Sequence, residues 1–487
     1  MFAGLPIWEI LLLTFGALIS GVLWYVLPIS NMSALIRRRW IAYIPIVIAV
    51  VLFVILRPQG WMLIFPVLGF LIFIHELGHF LTAKLFGITV KEFGFGFPPR
   101  MLGIRFKPHG TIYSINWIPL GGFVRMVGEH GEAIEKGTLV GQENEADKNV
   151  VYVRTSAVIE QATAQPVEVD FGDQSVLKRV IVLCAGSFMN LLFPAIVFTI
   201  ILLLPQDAIV GTVVINGVAP GSPAQMAGIN AGDMIVAVDG EEIDNHVDLI
   251  QRIMARLGSP TDVTVMRGAF ITGNPVPEII SAQPEVLTIE PRLNPPTLMV
   301  VETVTDPSKQ VSLADAQRYN PELLLGEEMT QGALGVLIGT ANESVVKRSY
   351  SITEAVPMSL GRMRDVVLIS KNGIARWTVG GPDPGLAGPV GIASVTGQVA
   401  QVGISPLIEF MALISISLGV VNILPIPALD GGRLLFVLIE WVRRGKKVSA
   451  QREGMVHMVG FVVLISLIVI ITFVDVQRLI NGDSLLP

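Results

Sequence analysis

Residues 61–74 read WMLIFPVLGFLIFI, a run without a single charge, and the next five residues are HELGH. An apolar stretch that crosses hydrocarbon must be helical, because only a helix there satisfies its own backbone hydrogen bonds. Two imidazoles and a carboxylate inside such a helix are costly. An ionisable group in a span is by default a functional one. Residues four apart on a helix share a face, so His75 and His79 can each turn an imidazole toward a single zinc ion. Glu76 lies about 100° round and can reach a water at that metal. The pattern alone carries a false-positive risk. Its place inside an apolar run argues against a reading as satisfied core histidines.

The rest of the chain fits a membrane protein. Of 487 residues 52% are hydrophobic and 15% charged, against about 25% charged in ordinary soluble domains. Six segments are long enough, or nearly so, to span about 30 Å of hydrocarbon: about 7–28, 41–56, 61–86, 180–204, 406–424 and 455–475. The first has no basic leader and reads as a retained helix, not a cleaved signal. The fifth runs into Pro425, Pro427 and Gly431–Gly432, then into LLFVLIEW at 434–441. That is a broken helix, which in a membrane lines a cavity or protein interior. Lys and Arg cluster at 37–39, 84–107, 178–179 and 443–452. With all of these cytoplasmic, the six spans alternate without conflict, and 205–405 faces the other side. The net charge of −6 gives no footing for nucleic acid, and the one cysteine, Cys184, sits in an apolar run without a disulfide partner.

Two soluble segments lie between the spans. Residues 129–173 hold ten Asp and Glu against three Lys and Arg, show no sustained periodicity, and read as a cytoplasmic, flexible insertion. Residues 209–292 alternate strand and turn: GTVVI (211–215), a helical stretch near 246–257, DVTVMRG (262–268) and EVLTIEPR (285–292). Ser222 and Pro223 suit the cap and first position of a short helix. The order SPA, AGI, GD, IVAVDG within 217–240 resembles a circularly permuted bacterial PDZ domain, a fold that binds extended peptides by strand addition. The stretch 293–405 contains an amphipathic segment near 353–376 and is large enough for a second, degenerate module.

A catalytic zinc takes three protein ligands and keeps a position open. Glu409, Asp430, Glu440, His457 and Asp475 lie in or beside apolar segments. Asp430 stands out, because NILPIPALDGG (422–432) breaks the helix with prolines and lets the backbone approach through two glycines. His457, on the same side, is its rival. HELGH in one span and NILPIPALDGG in a later one together resemble the site-2 proteases, the intramembrane zinc metalloproteases. KEFGFGFPP (91–99) and YSINWIPLGGFVRMVGE (113–129) are similar to the family's re-entrant β-hairpin. AGSFMN (185–190) and GPVGIA (388–393) are similar to motifs at its second and third core spans. The resemblance covers about 61–475. It implies His75, His79 and Asp430 as ligands of Zn2+ and Glu76 as general base.

The expected architecture is a polytopic helical membrane protein of about six spans. Its expected parts are two extra helices (1–60), a first core half (61–204) with a hairpin at about 90–128, one PDZ domain (205–295), a connecting region (296–405) and a second core half (406–487). It would reside in the inner (cytoplasmic) membrane, with the PDZ domain on the non-cytoplasmic side and the active site toward the cytoplasm. Phe93, Phe95 and Phe97 alternate with glycine at the period of a strand, so the hairpin offers an edge for an unwound substrate. Asn422 and Asn190 are candidates for bonding the substrate backbone, or, as Asn in spans often does, for tying helices together. Expected substrates are single-span membrane proteins, an anti-sigma factor or a remnant signal peptide, already shortened by another protease. The competing reading is a non-catalytic membrane scaffold with a structural zinc and a peptide-binding PDZ module.

Overall fold

The computed structural model describes residues 60–106, 110–128, 150–153, 169–269, 278–279, 283–381 and 387–481. The expected spans at 7–28 and 41–56 and most of the acidic insertion lie outside the described residues. The chain divides into two compact units, one of 1–190, 385–414 and 418–487, the other of 191–384 with 415–417.

A 3-10 turn at Gly60–Leu63 leads into helix α1 (Ile64–Leu85), which carries HELGH. It stops where Gly87 takes φ +72°, the left-handed cap that glycine supplies without steric cost. Strands β1 (Val90–Phe106) and β2 (Ile112–Met126) follow, then a short strand β3 (Val150–Val153). The register departs from a simple hairpin. β2 doubles back at Gly121, φ +79°, so Phe93 is paired with Tyr113 on one side and Val124 on the other. The later half of β1 pairs again with 112–116, and Gly103–Phe106 takes β3 in parallel. Part of the insertion expected to be flexible, VVYV, is therefore a strand: its β-branched and aromatic residues suit a ladder position. Helix α2 (Val176–Leu203) comes next.

In the second unit β4 (Gln206–Val218) opens a sheet. Helix α3 (Pro223–Met226) starts as expected, with the Ser222 side chain accepting from Gln225 N. β5 (Met234–Val238), β6 (Glu241–Glu242), helix α4 (His246–Ala255) and β7 (Thr261–Met266) follow, then β8 (Glu285–Ile289). A small second sheet is built from β9 (Thr297–Val301), β10 (Gln310–Ser312) and β11 (Glu328–Thr330), with helix α5 (Leu313–Tyr319). β12 (Val336–Arg348) returns to the first sheet, whose order is β8-β7-β5-β4-β12. The amphipathic segment forms helix α6 (Ile352–Thr378). Two cores result, one around Ile215, Ile235, Leu249 and Val263, the other around Val300, Val311 and Met329. Asn372 of α6 donates to the carbonyls of Met254 and Ala255, the last turn of α4.

The chain then completes the first unit with α7 (Pro389–Val402), α8 (Ile404–Ile423), α9 (Asp430–Val442) and α10 (Ala450–Asn481). Among the described residues four helices, α1, α2, α8 and α10, are long and apolar enough to cross a membrane, matching four of the expected spans. The broken helix is also present, as α8, a loop and α9. Between apolar helices in lipid, close packing replaces the hydrophobic effect as the force of association. Gly78 provides it: a Cβ there would fall 2.7 Å from the carbonyl carbon of Ala185, so α1 lies directly on the backbone of α2. Phe80, Ala83, Val90, Phe93, Val182 and Val437 pack the hairpin against these helices.

Candidate metal centre

His75, His79 and Asp430 come together although 351 and 355 residues separate the imidazoles from the carboxylate. Nε2 of His75 is 2.7 Å from Asp430 Oδ2, Nε2 of His79 is 3.2 Å from the same oxygen, and the two nitrogens are 3.2 Å apart. Ligands about 2.0–2.1 Å from a tetrahedral zinc stand about 3.3 Å from one another. Two of the three separations match this, the His75–Asp430 pair is closer, and the donors have the N, N, O chemistry of a zinc site. Both imidazoles are buried and the carboxylate is the more open member, its side chain 21% exposed.

One face of α2 completes the arrangement, through residues four apart. The Val182 carbonyl accepts from Nδ1 of His79 at 2.7 Å, which leaves the Nε2 lone pair for a metal. Gly186 supplies room: a Cβ there would overlap the Nε2 atoms of both histidines. Asn190, 1% exposed, has Nδ2 3.2 Å from Nδ1 of His75. With Nε2 turned inward as a ligand, Nδ1 carries the proton, and the amide accepts it through its oxygen after a half-turn of the terminal group. Asn190 thus stands behind His75, a position that suits its reading as a tie between helices. Sequence reasoning missed Val182 and Gly186, although the four-residue spacing in VLCAGSFMN (182–190) is the signal that finds them.

Asp430 opens α9, preceded by Leu429 in extended conformation. Gly432 lies under the loop before it: an added Cβ would sit 2.9 Å from Pro427 Cα. Two of the other carboxylates beside apolar segments are occupied elsewhere. Glu440 forms a buried two-pronged ion pair with Arg179 (2.7 and 2.9 Å). Asp475, fully buried, accepts from Gly391 N at the start of α7, where the helix dipole favours a negative charge. Glu409 lies in the first half of α8. His457 is outside the metal cluster and meets the loop before Asp430 instead.

Glu76 is half-buried, and its Oε2 accepts from Val124 N at 3.1 Å. This hydrogen bond locates the hairpin edge nearest the histidines, the segment 122–126, which among the described residues has a strand partner on one side only. The aromatic strand expected to offer that edge is covered on both sides by β2. Phe93 is buried and stacked on Phe80, with centroids 4.5 Å apart. It packs against α1 through that ring. Phe95 packs edge-on against Phe73 at 5.7 Å, and Phe97 pairs through its backbone with Ile118. Asn422 is half-buried in the last turn of α8.

Comparison with known proteins bears on what this geometry does. The profile described as Peptidase family M50 matches residues 63–467. The chain is 31% identical over 459 residues to zinc metalloprotease RasP of Geobacillus kaustophilus, covering 85% of this chain and 96% of the relative. It is 29% identical to the regulator of sigma-W protease RasP of Bacillus subtilis, covering 85% and 97%. A putative zinc metalloprotease of Brucella suis is also 29% identical, with 84% and 93% covered.

Proposed function

The chain belongs to Peptidase family M50, the site-2 protease family that its motifs resemble, and from that premise we propose that it is a zinc-dependent intramembrane endopeptidase. His75, His79 and Asp430 hold the zinc and Glu76 is the general base. The observation that carries this reading is the convergence of the three donors from two apolar segments. Bound there, zinc supplies a Lewis acid for the scissile carbonyl and makes a water acidic enough to lose a proton near neutral pH. Glu76 accepts that proton and returns it to the leaving amine. Its hydrogen bond from Val124 N keeps the carboxylate aimed. An unwound substrate adds as a strand along 122–126, next to Glu76, with Phe95, Phe97 and the Asn422 amide as further contacts.

The substrates we infer are single-span membrane proteins. The sigma-W designation of the Bacillus relative favours a regulator of a sigma factor, shortened first by another protease. We read the sheet of β4, β5, β7, β8 and β12 with α3 and α4 as a PDZ domain on the non-cytoplasmic side of the inner membrane, the zinc site facing the cytoplasm. Its end strand β12 runs beside α4, where His246 N donates to Thr340 Oγ1. A trimmed peptide end would add along that strand.

The full chain purified in detergent should carry close to one zinc ion and cut a single-span substrate within its span. A chelator should stop cleavage and zinc should restore it. Cleavage that persists in the metal-free protein would overturn the assignment. A second expectation concerns the inserted module. Gln206 pairs with Arg348, so replacing 207–347 by a short Gly-Ser linker joins two neighbouring ends. Zinc content should stay unchanged, because all three donors lie in the first unit, while uncut, full-length substrate becomes accepted. Loss of zinc in this variant would make the module structural.

A further inference from the structure

The segment Leu424–Leu429 fixes where Asp430 stands, and it has little means of holding itself. Pro425 and Pro427 have no N–H to donate. The N–H groups of Ile426 and Leu429 turn back onto the loop's own carbonyls, of Leu424 and Ile426. Ala428 adopts φ +78°, a region that an L side chain rarely enters. Such a conformation persists only where the surroundings impose it. Its N–H donates to Nδ1 of His457 on α10, at 2.9 Å. One turn along α10, Gly460 lies against the same loop: a Cβ there would fall 2.7 Å from the Pro427 carbonyl oxygen. The imidazole is half-buried. It is tilted against Phe436 with centroids 5.6 Å apart, and it borders a cavity of about 280 Å3 that Arg179, Glu440 and Glu453 also line. Packing thus surrounds the ring only in part, and the hydrogen bond from Ala428 N adds a directional element.

We propose that His457 is the positioning residue for Asp430: its Nδ1 lone pair holds the Ala428 N–H, keeps the loop in its unfavourable conformation and sets the carboxylate opposite the two histidines. This rests on the zinc assignment above. An N–H can only donate, so Nδ1 acts as an acceptor and the neutral ring carries its proton on Nε2. The residue does not touch substrate or metal. It acts on affinity through the chain, as groups behind metal ligands do, where a substitution typically changes affinity 10–100-fold.

Two substitutions of similar polarity separate this role from simple packing. In His457→Asn the amide oxygen stands where Nδ1 stood; in His457→Gln it reaches the place of Nε2. Zinc dissociation constants of the full chain in detergent, measured by competition with a chromogenic chelator, are the readout. His457→Asn should stay within about threefold of the parent, and His457→Gln should bind zinc about 10–100-fold more weakly. Equal affinities in the two variants, whether both tight or both weak, would remove the acceptor role. A parent protein that binds no zinc would refute the metal site itself, a result distinct from failure of the His457 proposal. Cleavage by His457→Gln, assayed at saturating zinc, should recover most of the parent KM. A large KM change at full occupancy would place His457 in substrate binding instead.

Discussion

The Glu76→Gln protein is expected to keep its zinc and lose about 10²–10⁴-fold in cleavage rate, the range associated with removal of one positioned proton carrier. The substitution is nearly isosteric. The amide oxygen can still accept from Val124 N, so the side chain stays in place and the hairpin edge is not released. What disappears is a group able to take a proton from water and return it to the amine. His75, His79 and Asp430 are untouched, and the supports of the imidazoles, the Val182 carbonyl and Asn190, lie on another helix. Single-turnover cleavage of a single-span substrate, with zinc measured in the same sample, separates the readings. Cleavage within a few-fold of the parent would sink the role of Glu76. Loss of zinc along with activity would instead make Glu76 part of the metal cage, and a scaffold with a structural zinc would then gain ground. With the expected result, the same variant retains uncut substrate and becomes the means to identify it.

The cluster of His75, His79 and Asp430, with Glu76 beside it, was legible from the sequence because its members leave local marks. His75 and His79 share a helix face by spacing, and the prolines and glycines around Asp430 announce a break where a carboxylate can turn inward. The partners behind them leave much weaker marks. Val182 contributes a carbonyl and Val124 an N–H, and neither residue type advertises that use. His457 contacts the loop before Asp430 across 29 residues, and read as a residue type it looks like a rival ligand. The hairpin was legible as two strands with the glycine alternation at Phe93–Phe97, whereas the segment paired on one side among the described residues lies after the reversal at Gly121. In the connecting region the strands β9, β10 and β11 have three to five residues, too few for an alternation to stand out. Their existence follows from tertiary packing around Val300 and Met329, not from local pattern.

Gly186→Ala is expected to weaken zinc binding by at least about a hundredfold, the upper range for changes behind metal ligands, and to lower cleavage with it. Judged by local propensity alone the substitution should be favourable. Gly186 sits inside α2, and alanine in a helix interior gains about 1 kcal/mol over glycine. The surroundings reverse that sign. The new methyl would occupy the space held by the Nε2 atoms of His75 and His79, the atoms that face Asp430. These rings cannot easily yield. His79 is held from behind by the Val182 carbonyl and His75 by Asn190, while Gly78 presses α1 onto α2. Either the imidazoles rotate away from the carboxylate or the two helices separate, and both outcomes dismantle the donor triangle. Thermal unfolding of metal-free protein tells local from global damage. A somewhat lowered midpoint of a still cooperative transition, with zinc affinity lost, is the expected pattern; loss of the cooperative transition would mean global damage. Parent-like zinc affinity in Gly186→Ala would mean that α2 does not close over the histidines as tightly as described, and the case for His75 and His79 as ligands on this face would fall with it.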